Sequence, residues 1–229
     1  MVEKVKGIIS KRESISPDVD LFQVKLEKNM SFTPGQFAMV YLNSGEKEVR
    51  AFSFCSLPDG NIVEFCIKLY KDGRFSPLLF KKQVGDEVEI KGPYGMFGLK
   101  ETEDPIIFIA GGTGIAPIRS MILSHIKNNG EQQAWLFYRF KNPEDFLFKT
   151  ELEQISKECE QMHIVPTVSN PDKDWAGNTE RVHNIILKYV GSLEHKQIYM
   201  CGPPAMVDGT IEELLKLGCA KEQIHREVW

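Results

Sequence analysis

The sequence contains no apolar run near the roughly 20 residues that a membrane-crossing helix needs. The opening Met1-Val-Glu-Lys-Val-Lys6 enters an alternating pattern at once and shows no signal-peptide core. The expectation is therefore no membrane insertion and a cytoplasmic location. Cysteine is sparse and scattered: Cys55, Cys66, Cys159, Cys201 and Cys219 include no C-x-x-C pair. An odd, unclustered set argues against a disulfide framework, a zinc site or an iron–sulfur cluster within these residues, and no metal site is expected. Basic charge is also lacking. The 229 residues carry a net charge of −4, which gives no electrostatic case for nucleic acid or an anionic membrane. Internal repeats and low-complexity tracts are absent. The five histidines, His125, His163, His183, His195 and His225, fall at unrelated places and suggest no general base.

What is present divides near residue 99. Residues 1–99 read as all-β, with strands predicted over 4–15, 19–27, 36–42, 48–56, 61–70 and 86–91, separated by turn residues such as Ser16-Pro-Asp18, Pro34-Gly35 and Pro58-Asp-Gly60. One helix, 75–82, interrupts them. Six short strands at this spacing predict a small antiparallel barrel or sandwich. After the polar linker Lys100-Glu-Thr-Glu-Asp104 the pattern alternates. Strands are predicted at 106–110, 133–139, 163–168, 196–201 and 223–228, and helices at 117–128, 144–158, 179–190 and 203–217. Such alternation predicts a parallel sheet with helices on both faces, over residues 100–229.

Four stretches carry chemistry. The first is Pro105-Ile-Ile-Phe-Ile-Ala-Gly-Gly-Thr-Gly-Ile-Ala-Pro117, a buried apolar run that ends in glycines and then a helix-opening proline. Gly111, Gly112, Thr113 and Gly114 suit close approach of a phosphate to backbone N–H groups and a helix N-terminus. The dinucleotide fingerprint is incomplete, because Pro117 replaces the last glycine and the next strand ends in Arg139 instead of an acid. The second, Arg50-Ala-Phe-Ser53, puts a cation for phosphate and a ring for stacking on one face of a strand. Third, Gly73-Arg74-Phe75-Ser76 opens a helix and can offer N–H groups to an anion. The fourth, Met200-Cys201-Gly202-Pro203-Pro204, ends a strand of the parallel sheet, where ligands of such sheets gather. The chain then closes on Arg226-Glu-Val-Trp229, whose tryptophan is placed to cover a ligand. Each stretch also has a plain reading: a structural turn, a surface arginine, a helix cap, a buried thiol, a frayed end.

Taken in order, Arg-x-Phe-Ser, Gly-x-x-Ser, Gly-Gly-Thr-Gly-Ile-Ala-Pro and Cys-Gly-Pro-Pro resemble the ferredoxin–NADP reductase family of flavoproteins, over essentially the whole chain. The resemblance implies a flavin-binding β-barrel at 1–99 and an NAD(P)-binding α/β domain at 100–229. It implies an enzyme that takes hydride from NADH or NADPH onto bound FAD. Arg50 would pair with flavin phosphates. Phe52 would stack on the isoalloxazine, where the family more often has tyrosine. The Ser53 hydroxyl would reach N5, and Gly73, Arg74, Phe75 and Ser76 would hold the pyrophosphate. Gly111, Gly112, Thr113, Gly114, Gly202 and Pro203 would cradle the nicotinamide nucleotide, Cys201 would border nicotinamide C4, and Glu227 would support hydride transfer. Trp229 would cover the flavin.

The nucleotide choice is open at this level. Arg139 and Lys141 could meet a 2′-phosphate, yet Glu144-Asp145-Phe146 resembles NADH-using relatives and Asp145 could bind ribose, which tips the balance slightly to NADH. No cysteine cluster provides an electron exit, so the resemblance implies a separate acceptor protein, ferredoxin-like or an oxygenase component. Free flavin as a diffusing substrate, and an electron-relay subunit of a larger complex, are the alternatives.

Overall fold

The structure is a computed structural model and describes residues 2–42, 48–128 and 130–228. It comprises two compact units: Met1–Leu99 together with Arg119–Ser124, and Lys100–Ile118 together with His125–Trp229.

Unit 1 is a six-stranded antiparallel sheet. Its strands are β1 (Glu3–Ser16), β2 (Val19–Leu26), β3 (Phe37–Tyr41), β4 (Val49–Ser53), β5 (Ile62–Lys68) and β6 (Glu87–Tyr94), in the order β4-β3-β6-β1-β2-β5. The period of two decides which side chains go inside. Phe22, Val24 and Leu26 of β2 and Val63, Phe65 and Ile67 of β5 are buried, while Lys25 of β2 faces outward. The sheet curls until its edges meet: just beyond β4, the Cys55 N–H donates to the Glu64 carbonyl on β5 at 3.0 Å. The Phe54 ring fills the interior, stacked on Phe32 at 3.9 Å and tilted against Phe65 at 5.5 Å.

The helix expected over 75–82 is a single turn, α1 (Ser76–Leu79). Its downstream N–H groups at Lys81 and Lys82 bond only three residues back, which winds the chain too tightly to continue an α-helix. Arg12 holds that segment to the barrel. Its guanidinium donates to Asp20 at 2.6 Å and to the carbonyls of Phe80 and Lys82 at 2.7 and 3.1 Å.

Arg119 supplies the second internal anchor of unit 1. It donates to the Cys55 carbonyl at 2.6 Å and to the Glu64 carboxylate at 2.8 Å, and both side chains are largely buried, 11% and 17% exposed. Removing one partner of such a pair strands the other charge. Arg119→Met should therefore destabilise unit 1 by about 3 kcal/mol. Chemical denaturation followed by far-ultraviolet circular dichroism reads the loss, and a change below the measurement error would show the pair to be idle.

Unit 2 is a five-stranded sheet whose neighbours all run parallel. Its strands are β7 (Ile106–Gly111), β8 (Ala134–Phe140), β9 (Met162–Val168), β10 (Gln197–Gly202) and β11 (Ile224–Val228), in the order β11-β10-β7-β8-β9. The central strand β7 is buried at every residue, as its uninterrupted apolar run requires. The helices are α2 (Ile115–Lys127), α3 (Lys149–Glu158), α4 (Val182–Val190) and α5 (Pro204–Lys216). Valines and isoleucines of α4 and Val207 and Leu214 of α5 pack on Ile107, Ile109, Phe137, Val165 and Met200 from one face of the sheet.

The helix expected over 144–158 is shorter. A tight turn at Pro143–Asp145 and a left-handed Phe148 (φ 56°) come first, and burial of Phe146 and Leu147 fixes that detour. Among the described residues no helix is long and apolar enough to cross a membrane.

Candidate cofactor and nucleotide sites

In unit 1 the candidate residues gather around the end of β4. Arg50 is exposed and its guanidinium donates to the Val49 carbonyl at 2.8 Å. Phe52 is half-buried, with its ring 5.5 Å from that of Phe75. Ser53 closes the strand. It is only 7% exposed, and its Oγ has no hydrogen-bond partner among the described residues. A buried hydroxyl without a partner costs about 1–3 kcal/mol, so it marks a place where something else is to be met.

The Gly73–Ser76 loop corrects part of the sequence expectation. The Phe75 side chain is a core residue, 4% exposed. The Ser76 hydroxyl already accepts from the Tyr70 N–H at 2.9 Å, and the Gly73 N–H donates to the Tyr70 carbonyl at 2.8 Å. These groups lock the turn. What the loop offers a diphosphate is the backbone N–H groups of Arg74, Phe75 and Ser76, which donate to nothing among the described residues, and the exposed Arg74 guanidinium.

In unit 2 the glycine turn and the Cys-Gly-Pro-Pro turn end the neighbouring strands β7 and β10. Chain connections leave β7 toward β8 on one side and return through β10 on the other, so these turns flank the point where strand order reverses. Ligands of open α/β sheets bind there. The glycines have different jobs. Gly112 takes φ +53° and a side chain on it would meet only open space. Gly114 is a packing glycine: a Cβ there would run into the Cys201 carbonyl. Of the expected cradle, Gly112 and the half-buried Thr113 present the open surface, while Gly111, Gly114 and Gly202 let the two turns touch.

Cys201 is fully buried and pairs in register with Ala110 on one side and Glu227 on the other. Glu227 is half-buried, and burial pushes its carboxyl above the usual carboxylate range. Pro203 is exposed at the rim. Trp229 lies outside the described residues.

Two expectations on the nucleotide's far end divide. Arg139 sits at the end of β8, in register with Gly111, and donates to the Glu180 carbonyl at 2.7 Å. The Asp145 carboxylate is already engaged: its Oδ2 accepts from both the N–H and the side-chain amide of Asn142, at 3.0 and 2.9 Å. It caps its own turn, and the support it lent to ribose binding is weakened.

Sequence reasoning missed Tyr138. Its buried hydroxyl donates to the Gly112 carbonyl at 3.1 Å and so holds the turn in its left-handed form. The only available signal was a tyrosine next to Arg139 in a strand whose other residues are apolar. Tyr138→Phe keeps the packing and removes that bond, so KM for the nicotinamide nucleotide should rise about two- to tenfold with flavin content unchanged. Steady-state kinetics read it, and an unaltered KM would show that the turn holds without the bond.

Comparison with known proteins decides the family. A model of the oxidoreductase FAD-binding domain matches residues 6–98, and one of the oxidoreductase NAD-binding domain matches residues 108–212. The chain belongs to the ferredoxin–NADP reductase-like family of flavoproteins.

Among its relatives in that family is the phenol 2-monooxygenase reductase component DmpP of Pseudomonas sp. (strain CF600). It is 32% identical and is matched over 94% of this chain and 62% of its own length. The xylene/toluene monooxygenase electron transfer component XylA of Pseudomonas putida is 30% identical, over 96% of this chain and 64% of its own. The chain thus spans just over three-fifths of these relatives. A solved structure described as the ferredoxin reductase in carbazole 1,9a-dioxygenase superposes with a TM-score of 0.89 at 27% identity, covering 99% of this chain and 69% of that one. The FAD-binding match falls within unit 1, and the NAD-binding match falls within unit 2 apart from Arg119–Ser124. The residues present in unit 1 fit FAD: an orphaned hydroxyl, a half-buried ring, an exposed arginine and a loop of undonated amides.

Proposed function

We propose that the protein is an NAD(P)H-dependent flavoprotein reductase that retains FAD and passes electrons to a separate redox protein. The unpartnered Ser53 Oγ carries this reading, because a flavin ring at β4 would satisfy it. FAD, when bound, accepts a hydride at N5 and can give up its electrons one at a time, which NAD(P)H alone does not do. The chain's own part is binding and alignment. Arg50 and the amides of Arg74, Phe75 and Ser76 hold the diphosphate, Phe52 supports the ring, and Ser53 orients N5. Gly112 and Thr113 receive the nicotinamide end of the nucleotide, with Cys201 and Glu227 on one rung of the sheet beneath it. Proximity supplies most of the rate, and no general base is required.

Relatives are named as reductase or electron transfer components of monooxygenases, which favours a protein acceptor, ferredoxin-like or an oxygenase component. The five cysteines of this sequence form no C-x-x-C pair, so the acceptor lies outside these residues. The test is gel filtration of purified protein followed by assay with a one-electron dye. FAD travelling with the chain, and dye reduced by NAD(P)H without added flavin, is the expected result. Colourless protein that turns over only with free flavin would replace this reading with that of a flavin reductase.

A further inference from the structure

The glycine turn after β7 and the Cys-Gly-Pro-Pro turn after β10 meet at a seam of bare backbone. Gly202 lies so close to Gly111 that a Cβ on it would stand 3.1 Å from the Gly111 N and Cα. The side chain that covers this seam comes from α5. Met206 is the third residue of that helix, and its N–H donates to the Pro203 carbonyl at 2.9 Å. Side chains in a helix lean toward its N-terminus, so a methionine here reaches back over the turn that starts the helix.

Its tip touches both glycines. A Cβ on Gly111 would stand 2.6 Å from the Met206 Sδ and 2.8 Å from its Cε, and one on Gly202 would stand 2.7 Å from the same Cε. The thioether thus fills the space that side chains on these two glycines would need. Met206 is partly buried and packs against the core that α4 and α5 form on the sheet. It also lines a cavity of about 280 Å³ together with Arg139, Arg181 and His183. Met206→Ala would join that cavity to the seam and strip the packed atoms from one side of both turns. An unbranched thioether suits such an irregular gap.

We propose that Met206 is a positioning residue for the nicotinamide nucleotide. Its thioether clasps the glycine turn to the Cys-Gly-Pro-Pro turn and so fixes how Thr113 stands relative to Cys201. This role rests on the hydride-transfer reading above, in which both turns receive the nicotinamide end. Dispersion contacts are short-ranged, and a gap of about 0.5–1 Å already forfeits about a quarter to a half of each. Hydride transfer is as demanding, because a misplacement of about 1 Å can cost about a hundredfold in rate.

The test is calorimetric titration of the flavin-loaded protein with NAD+ and with NADP+, then anaerobic rapid mixing with the reduced form of the tighter binder. Met206→Ala should weaken binding about fivefold or more and slow flavin reduction about threefold or more, with FAD content unchanged. Met206→Leu refills most of the volume and should stay within about twofold on both counts. A side chain that serves stability alone would lower the melting point and leave both constants where they are. Gly111→Ala supplies the second arm, because its methyl group displaces the same thioether. The two effects should not multiply: the double variant should bind no more than about twofold worse than the worse single one. Affinity and rate unmoved in folded Met206→Ala, or effects that multiply, would overturn the role. The two readings fail separately. Flavin bleached by neither reduced nucleotide, with calorimetric binding still weakened by Met206→Ala, would sink hydride transfer and leave the clasp. Reduction that Met206→Ala does not alter would do the reverse. Absence of binding by either nucleotide would sink both.

Discussion

Gly114→Ala should destabilise unit 2 by about 3 kcal/mol and abolish nucleotide binding while FAD stays in place. The new Cβ would lie 2.6 Å from the Cys201 carbonyl carbon and 2.8 Å from the Gly202 Cα, which are backbone atoms and cannot swing aside. Either β10 moves away from the glycine turn or the turn opens, and both dismantle the crevice. Overpacking of a tight interior costs about 1–3 kcal/mol, and backbone obstacles put this case at the upper end. Gly112→Ala is the informative partner. Its Cβ meets open space, so only the left-handed φ penalises it, by about 1–2 kcal/mol. Thermal unfolding should therefore show a larger drop for Gly114→Ala than for Gly112→Ala. At about 2–4 °C per kcal/mol for a chain of this size the difference is measurable. Equal melting points would mean that the two turns do not touch.

Ser53→Ala should change sign between two assays. In protein stripped of flavin, removing a buried hydroxyl that has no partner should raise stability by about 1 kcal/mol, since its desolvation is no longer uncompensated. In the flavin-loaded protein the same change should slow flavin reduction by about tenfold or more, because a hydrogen bond to the atom that receives hydride is lost. FAD content should not fall, since in the proposed function Arg50 and the Arg74–Ser76 amides do the holding. Rapid mixing with NADPH and a melt of the stripped protein together read both signs. A slower reaction with no gain in the stripped protein would mean that the hydroxyl has another partner. A gain in stability with no change in rate would remove Ser53 from the reaction.

The architecture was largely legible in the sequence. Strand alternation in β2 and β5, the apolar run of β7 and the turn residues between strands report directly on which faces are buried, and burial is what decides a fold. The places of Ser53 at the end of β4, of Gly112 in a left-handed turn, and of Cys201 and Arg139 near the ends of β10 and β8 were legible because local sequence encodes those strand ends and turns. What stayed hidden depends on distant partners. Nothing near Ser76 says that its hydroxyl is used by Tyr70, and nothing near Asp145 says that Asn142 occupies it. Tyr138 reaches Gly112 from a neighbouring strand. Arg181 and His183 join Arg139 only because α4 returns to the end of β8, 42 positions along the chain from Arg139 to Arg181. Arg119 reads as an ordinary helix residue until its pairing with Glu64 is seen. In each case the missing term is a long-range pair, which pattern and propensity do not contain.

The proposed function requires that this chain hold FAD and reduce it with a nicotinamide nucleotide. The most direct test is anaerobic rapid mixing of the purified protein with NADPH and, separately, NADH, while the flavin absorbance is followed. A yellow protein whose flavin bleaches within its turnover time with at least one of the two nucleotides is the predicted result. A protein that holds flavin but is bleached by neither nucleotide, or that holds no flavin at all, would contradict it.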